Sequence, residues 1–410
     1  MTGNAHLCAP FVRDRGGFVN HNSGGTAVEG CRRRRETAWD GVAWRDAVAN
    51  HPHLLKAEKA RSGRILLGTL CAHAPPEILH AFDIVPVRLW GAGADPGGAD
   101  PLLQSFICPP VRQIMAMGLA GRYDFLDGLV HAYSCDAACG LFNIWRRNLH
   151  PKFAFQLSLP YMDTPEALAY AQVEFRRLIT ALETLTDRAY EPERLRAAIG
   201  LYREARALLR RAYARKRQDG GPAYVDLYRL SLALQVFPVE TVLPWLTAFD
   251  AAADGPAVAG DAGTTRLMIS GSLCADEALF TEIAALGGNI VVDDTCIGYR
   301  TLLGEAAPEG DPVTALARHH LARPPCSARA DFPARRAYFL EQIEAFRVEA
   351  VVFIHQKFCD PHLADHPFLK TLLEERGIPS LQVELEGEGL TGQIRTRLGG
   401  FFEMIGKNGP

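Results

Sequence analysis

No stretch of the 410-residue chain approaches the ~20 consecutive apolar residues of a membrane-spanning helix, so a membrane protein is not expected. Neither sign of charge dominates. Lys and Arg number 44 against 47 Asp and Glu, a net charge of -3, which provides no broad basic field for nucleic acid. The one local run, Arg32 to Arg35, reads as a solvated face or a tail. Ten cysteines are too sparse for a disulfide scaffold, and no charged start with an apolar core opens the sequence, so a reducing cytoplasm is the expected setting. No CxxC pair occurs, which sets aside zinc ribbons and thioredoxin-type redox motifs. A GxSxG elbow, a Walker loop and an HExxH helix are also missing, so hydrolase and ATPase readings lack their usual parts, and any ATP use belongs to another chain.

What is present is an alternation of short apolar runs with helical patterns. RILLG, IVPVRLW and DGLVHAYS read as strands, with helices over PPEILHAF and from Pro109. The period then changes. Leu168, Ala171, Phe175, Leu178, Leu182 and Leu185 recur every three or four residues behind Thr164 as N-cap and Pro165 at the first helical position. A second long helix begins near Pro192 with Leu195, Ile199, Tyr202 and Leu209 on one stripe. Residues 251 to 264 are small and Gly-rich, which marks a linker. Beyond it RLMISGS, NIVVDDT, EAVVFIH and SLQVELE read as strands, with helices through LFTEIAAL and ARRAYFLEQIEAF. The expected fold class is α/β: two Rossmann-like or flavodoxin-like α/β domains with a helical insertion between them. The boundaries are 1–55 for an N-terminal extension that is partly disordered, 56–158 for the first α/β domain, 159–258 for the helical segment and 259–410 for the second α/β domain.

Three cysteines sit where an apolar run gives way to a helix start: Cys108 in SFICPP, Cys135 in VHAYSCD and Cys359 in VVFIHQKFCDP. In an open α/β sheet, ligands bind in the crevice beyond the carboxyl ends of the strands, so three thiols there point to a metal or iron–sulfur site. A helix N-terminus would also favour the thiolate that iron binds. The alternative is three packed cysteines, since free cysteine is among the most buried residue types. Cys139 shares a helical face with Cys135, which would let it line the same site or, the preferred reading, pack beneath it. Cys274 and Cys296, which end strands of the second domain, could add ligands or bind a second cluster, and Cys326 could approach the same cleft, while Cys8 and Cys31 lie in the extension and read as incidental. Glu77 opens a helix just after Cys71 and is a candidate acid or base, or a first-turn carboxylate favoured by the helix dipole. Asp293 and Asp294, adjacent on a strand, point to opposite faces, so at most one serves a site. Arg300, Lys357, Gln393 and Arg397 could meet phosphates of a charged substrate or form salt bridges. GAGADPGG reads as a turn rather than a dinucleotide loop, because Pro96 stands where the third glycine belongs.

From about residue 62 to 406 the chain resembles the 2-hydroxyacyl-CoA dehydratase subunits, a family that includes subunits of ATP-dependent benzoyl-CoA reductase. The segments that carry this are GTLCAHAPPEILHAFDIVPVRLWGAG, ICPPVRQIMAMGLAGRYDFLDGLV, YSCDAACGLFNIW, ISGSLC, GGNIVVDDTCIGYR, KFCDPHLADHPFLKTLLEERGIPSLQVELE and TGQIRTRLGGFFEMI. The resemblance implies that Cys108, Cys135 and Cys359 ligate a 4Fe-4S cluster with one open iron site, lying in the cleft between the domains. It implies an acyl-CoA substrate, a related second subunit in a heterodimer, and a separate ATP-dependent iron–sulfur activator protein. The implied activity is elimination of water from an (R)-2-hydroxyacyl-CoA after one-electron reduction of the thioester to a ketyl radical, with Glu77 as a proton-handling group. A C-type subunit of an aryl-CoA reductase is the first alternative, and an electron-transfer or scaffold subunit that never meets substrate is a non-enzymatic one. A double-cubane cluster protein ranks third, because the region around Cys108 holds a single cysteine.

Overall fold

Most strands of this chain are near-continuous buried runs rather than alternating ones, the signature of parallel sheets covered on both faces. The computed structural model describes residues 43–91, 94–252, 263–274, 276–304, 310–329, 331–387 and 389–406. The first part comprises α1 (Trp44–Ala49), α2 (His51–Ser62), β1 (Leu66–Thr69), α3 (Pro76–Ala81), β2 (Val85–Arg88), α4 (Pro109–Leu119), β3 (Gly128–Ala132), α5 (Asp136–Asn148) and β4 (Phe153–Leu157). These strands form a four-stranded parallel sheet in the order β2-β1-β3-β4. Residues 44–55, expected within the extension, are instead largely helical, and Ala47 and Leu55 are fully buried. The remainder of that extension through residue 42, with Cys8, Cys31 and the Arg32 to Arg35 run, lies outside the described residues. β4, for which the sequence pattern gives no clear signal, is a half-buried edge strand beside β3.

Four helices follow: α6 (Pro165–Thr186), α7 (Pro192–Ala214), α8 (Tyr224–Val236) and α9 (Val239–Ala252). α6 starts as its sequence dictates, with Pro165 in the first turn and the Thr164 hydroxyl accepting from the Ala167 N–H at 3.2 Å. The predicted stripe of α7 is buried at Leu195, Ile199, Tyr202 and Leu209. Most of the expected linker, residues 253–262, lies outside the described residues. The chain resumes with β5 (Thr265–Gly271), α10 (Glu277–Ala285), β6 (Gly288–Asp294), α11 (Pro312–Ala322), α12 (Phe332–Ala345), β7 (Ala350–Gln356), α13 (Asp360–Glu374), β8 (Ser380–Leu385) and α14 (Gly392–Met404). Its sheet is again four-stranded and parallel, in the order β6-β5-β7-β8.

The two sheets therefore repeat one winding: the second strand at an edge, then the first, third and fourth. α8 packs against both β2 and β6, the matching edge strands of the two sheets. One hydrophobic core runs through β1–β3, α7, α8, α9 and β5–β8, and a second gathers α3, α6, α7 and α11. All described residues fall in one compact unit, Ala38–Pro410. No helix among them is long and apolar enough to cross a membrane.

Candidate functional site

In each sheet the connections leave in opposite directions from the first and third strands, which creates a crevice at their carboxyl ends. Cysteines stand at all four of these ends. Cys71 follows β1 and Cys274 follows β5, while Cys135 is the N-cap of α5 behind β3 and Cys359 the N-cap of α13 behind β7. Cys108 caps α4 on the path from β2 to β3, and Cys296 follows β6. Local sequence sets these caps. Pro109 forces the residue before it out of the helical region, and Cys108 has φ -56° and ψ 140°. Phe358, beside Cys359, is held in the left-handed region at φ 60°, a strained conformation for a residue with a Cβ.

Electrostatics groups the thiols more sharply than chain position does. Burial, then the Cys108, Cys71 and Cys296 thiols, pushes Cys135 up to about 12, despite the Ala138 N–H that it receives. Cys359 is raised by burial and then by Cys108, Cys296 and Cys135. Cys108 is pushed up to about 11 by burial first, with Asp360 and Cys296 adding to it. The helix N-termini favour the thiolates as expected, but burial acts against them more strongly. The N–H groups of Val111, Ala138 and His362 do reach the sulfurs, but loss of water outweighs them and raises all three thiols. Cys71 and Cys296 belong to the same neighbourhood. Cys71 differs in being lowered: burial raises it, but the Arg88 guanidinium and a Ser134 hydrogen bond win. Cys274 stands apart, pushed up to about 12 by burial, with Asp276 rather than any other thiol acting on it. Cys139 packs against His131, with Sγ 3.4 Å from Nε2. Cys326 lies 3.9 Å from His73 Nε2.

The charged residues around this group are mostly paired. Asp294 is fully buried between Arg335 at 2.5 Å and Arg300 at 2.9 Å, and accepts from Ser270 at 3.0 Å. Arg335 also reaches Asp365 at 3.0 Å, and Arg300 Nη2 lies 3.7 Å from Cys296 Sγ. Asp293 turns the other way, accepting from the Tyr213 hydroxyl at 2.7 Å and from Thr295 at 2.8 Å. Lys357 pairs with Glu386 at 2.8 Å, so Arg300 and Lys357 both form salt bridges. Glu77 is buried and bonded to Arg206 of α7 at 2.6 Å. Arg335 and Asp365 are not legible in the sequence, since nothing in the Arg335–Arg336 pair tells which one turns inward. Arg88 does carry a signal, a charge inside an apolar strand.

Among the described residues no three His, Cys, Asp or Glu side chains close as tightly as a single metal ion requires. The family described as 2-hydroxyglutaryl-CoA dehydratase, D-component, matches residues 71–405. The chain is 30% identical to the C subunit of benzoyl-CoA reductase from Thauera aromatica, over 85% of this chain and 92% of that one. It is 26% identical to the beta subunit of lactoyl-CoA dehydratase from Anaerotignum propionicum, over 88% and 97%. With the beta subunit of (R)-2-hydroxyglutaryl-CoA dehydratase from Acidaminococcus fermentans it shares 23% identity, over 87% and 97%.

Proposed function

Because the chain belongs to the 2-hydroxyglutaryl-CoA dehydratase D-component family, we propose that it is the iron–sulfur subunit of a radical acyl-CoA enzyme, an (R)-2-hydroxyacyl-CoA dehydratase. The observation that carries this reading is the placement of Cys108, Cys135 and Cys359 as helix N-caps drawn from both sheets, with Cys108 near enough to act on both of the others. The donor set fits a cluster better than a lone ion. Its sulfurs are not drawn together as one ion would need, and each accepts only backbone N–H groups at the start of its own helix. Cys108, Cys135 and Cys359 would hold a 4Fe-4S cluster after losing their protons. When bound, such a cluster supplies one-electron transfer and an iron with an open position able to act as a Lewis acid at a carbonyl oxygen.

The chain's own groups prepare this place. Buried Arg88 and Arg300 add positive charge beside Cys71 and Cys296, which favours the added negative charge of thiolates. Backbone N–H groups at three helix starts point at the sulfurs. Glu77 holds Arg206 in place and would handle a proton, a role that requires the ion pair to open. A related second subunit and a separate ATP-dependent iron–sulfur activator would complete the system.

A second reading, a C-type subunit of an aryl-CoA reductase, is favoured by the 30% identity to the benzoyl-CoA reductase relative. The first test is iron and acid-labile sulfide per chain on anaerobically purified protein, beside Cys135→Ala. About four irons, lost in the variant, are expected for a single cubane. No iron after reconstitution would sink the proposal, and about twice that amount would favour a double cubane. Assays of 2-hydroxyacyl-CoA against benzoyl-CoA, with partner and activator present, then separate the two enzyme readings.

A further inference from the structure

Beside the cysteine group, under the ends of β1 and β2, lies a cavity of about 70 Å³ bordered by α7, α8 and α11. Its charged lining is unbalanced. Arg88, Arg206 and Arg323 face one carboxylate, Glu77, which Arg206 already holds. Arg88 is 5% exposed, and its Nε and Nη1 find no hydrogen-bond partner among the described residues. Arg323 donates to the Ala72 carbonyl at 2.9 Å, and burial followed by the nearby Arg206 charge pushes it down to about 10, so it remains a cation at neutral pH. The neighbouring His319 and His320 are kept neutral by burial and by the arginines, so they add no compensation. Tyr202 Oη and His319 Nδ1, both on the lining, are also unpartnered among the described residues. Cys71, which Arg88 pulls below its ordinary value, is on the same lining but accepts from neither Nε nor Nη1 of Arg88, and buried guanidinium N–H groups left without an acceptor are costly unless an anion completes them.

We propose that this cavity binds a small carboxylate, gripped by Arg88 and Arg323. The planar guanidinium fork matches a carboxylate in two parallel hydrogen bonds. The rest of the wall, with Pro75, Pro86, Leu234, Leu302 and Leu316, suits a short hydrocarbon body. The volume accommodates a group of a few heavy atoms, below a nucleotide or a coenzyme A head. The carboxylate comes either from a free short-chain acid or from the end of a larger acyl molecule. Neither source requires the cluster to be in place.

The test uses the full chain in chloride buffer, titrated with propionate, glutarate and inorganic phosphate at constant ionic strength and followed by calorimetry and thermal unfolding. Saturable binding of propionate at one site per chain is expected, weakened at least tenfold in Arg88→Gln and in Arg323→Gln. In chloride alone Arg88→Gln should melt at or above the wild-type temperature, because a buried charge with two unpartnered N–H positions has been removed, and should lose the rise that propionate gives the wild type. Binding of glutarate but not propionate would assign the site to the end of a larger acid. No saturable binding of either carboxylate by the wild type, equal binding in both variants, or binding of phosphate alone would overturn the proposal. The wild-type titration decides the matter even if a variant fails to fold.

Discussion

At the scale of single residues, Asp294 is held by two buried arginines. Burial would raise its pKa, but Arg335 and Arg300 hold it below the ordinary 3.8. A carboxylate lowered in the fold contributes stability above its unfolded pKa and loses it as pH falls through the folded one, so this contribution is present at neutral pH and fades only below about 4. Asp294→Asn leaves Arg335, itself fully buried, short of one partner. We expect a loss of roughly 3–5 kcal/mol in urea unfolding at pH 7, the size seen when one member of a buried pair is removed. A loss under about 1 kcal/mol would show that Asp365 and water compensate. Asp293, one residue away, is raised by burial despite its bonds to Tyr213 and Thr295. The period of two along a strand, read directly from sequence, is what separates these neighbours. Which of them faces two arginines is not readable there, because Arg335 arrives from a helix 41 residues away.

At the scale of elements, the long helices are legible in the sequence and the parallel strands carry their own apolar signal. Thr164 and Pro165 start α6 as their chemistry requires, and Thr164→Ala should cost about 1 kcal/mol in chemical unfolding. The strand ends tell a different story. Gly271 closes β5 beside β7, and a Cβ there would collide with the Ile354 carbonyl. Gly271→Ala should therefore destabilise more than Thr164→Ala does, by the shift of a central strand pair, and the two urea midpoints compare them directly. β4 escapes recognition from sequence because a half-buried edge strand lacks both the continuous apolar run and a strict alternation. α8 reads as one more bundle helix, yet it spans the β2 and β6 edges and so fixes the two sheets to one core.

For the whole molecule, the buried histidines set an acid limit. His73, His131, His319, His320 and His355 are all buried, and burial lowers each below 6.5. A histidine lowered in the fold is stabilising above its unfolded pKa, and that stabilisation is lost as pH falls, because the unfolded chain takes up the proton first. Stability should drop between about pH 6.5 and 5 by up to roughly 1.4 kcal/mol per pH unit for each such histidine. Thermal unfolding across that range checks it, and a flat profile would mean that these rings open to water locally. By itself the sequence determined the α/β class, the helix caps and the places of Cys108, Cys135 and Cys359 at element boundaries, because period, proline and burial preference act over a few residues. Only the tertiary structure decided which thiols share one field, that Cys274 does not, and that Arg88 and Arg323 meet around a cavity. Those facts depend on two sheets with the same winding being brought together by α7 and α8, and such contacts between distant residues leave no local trace in the chain.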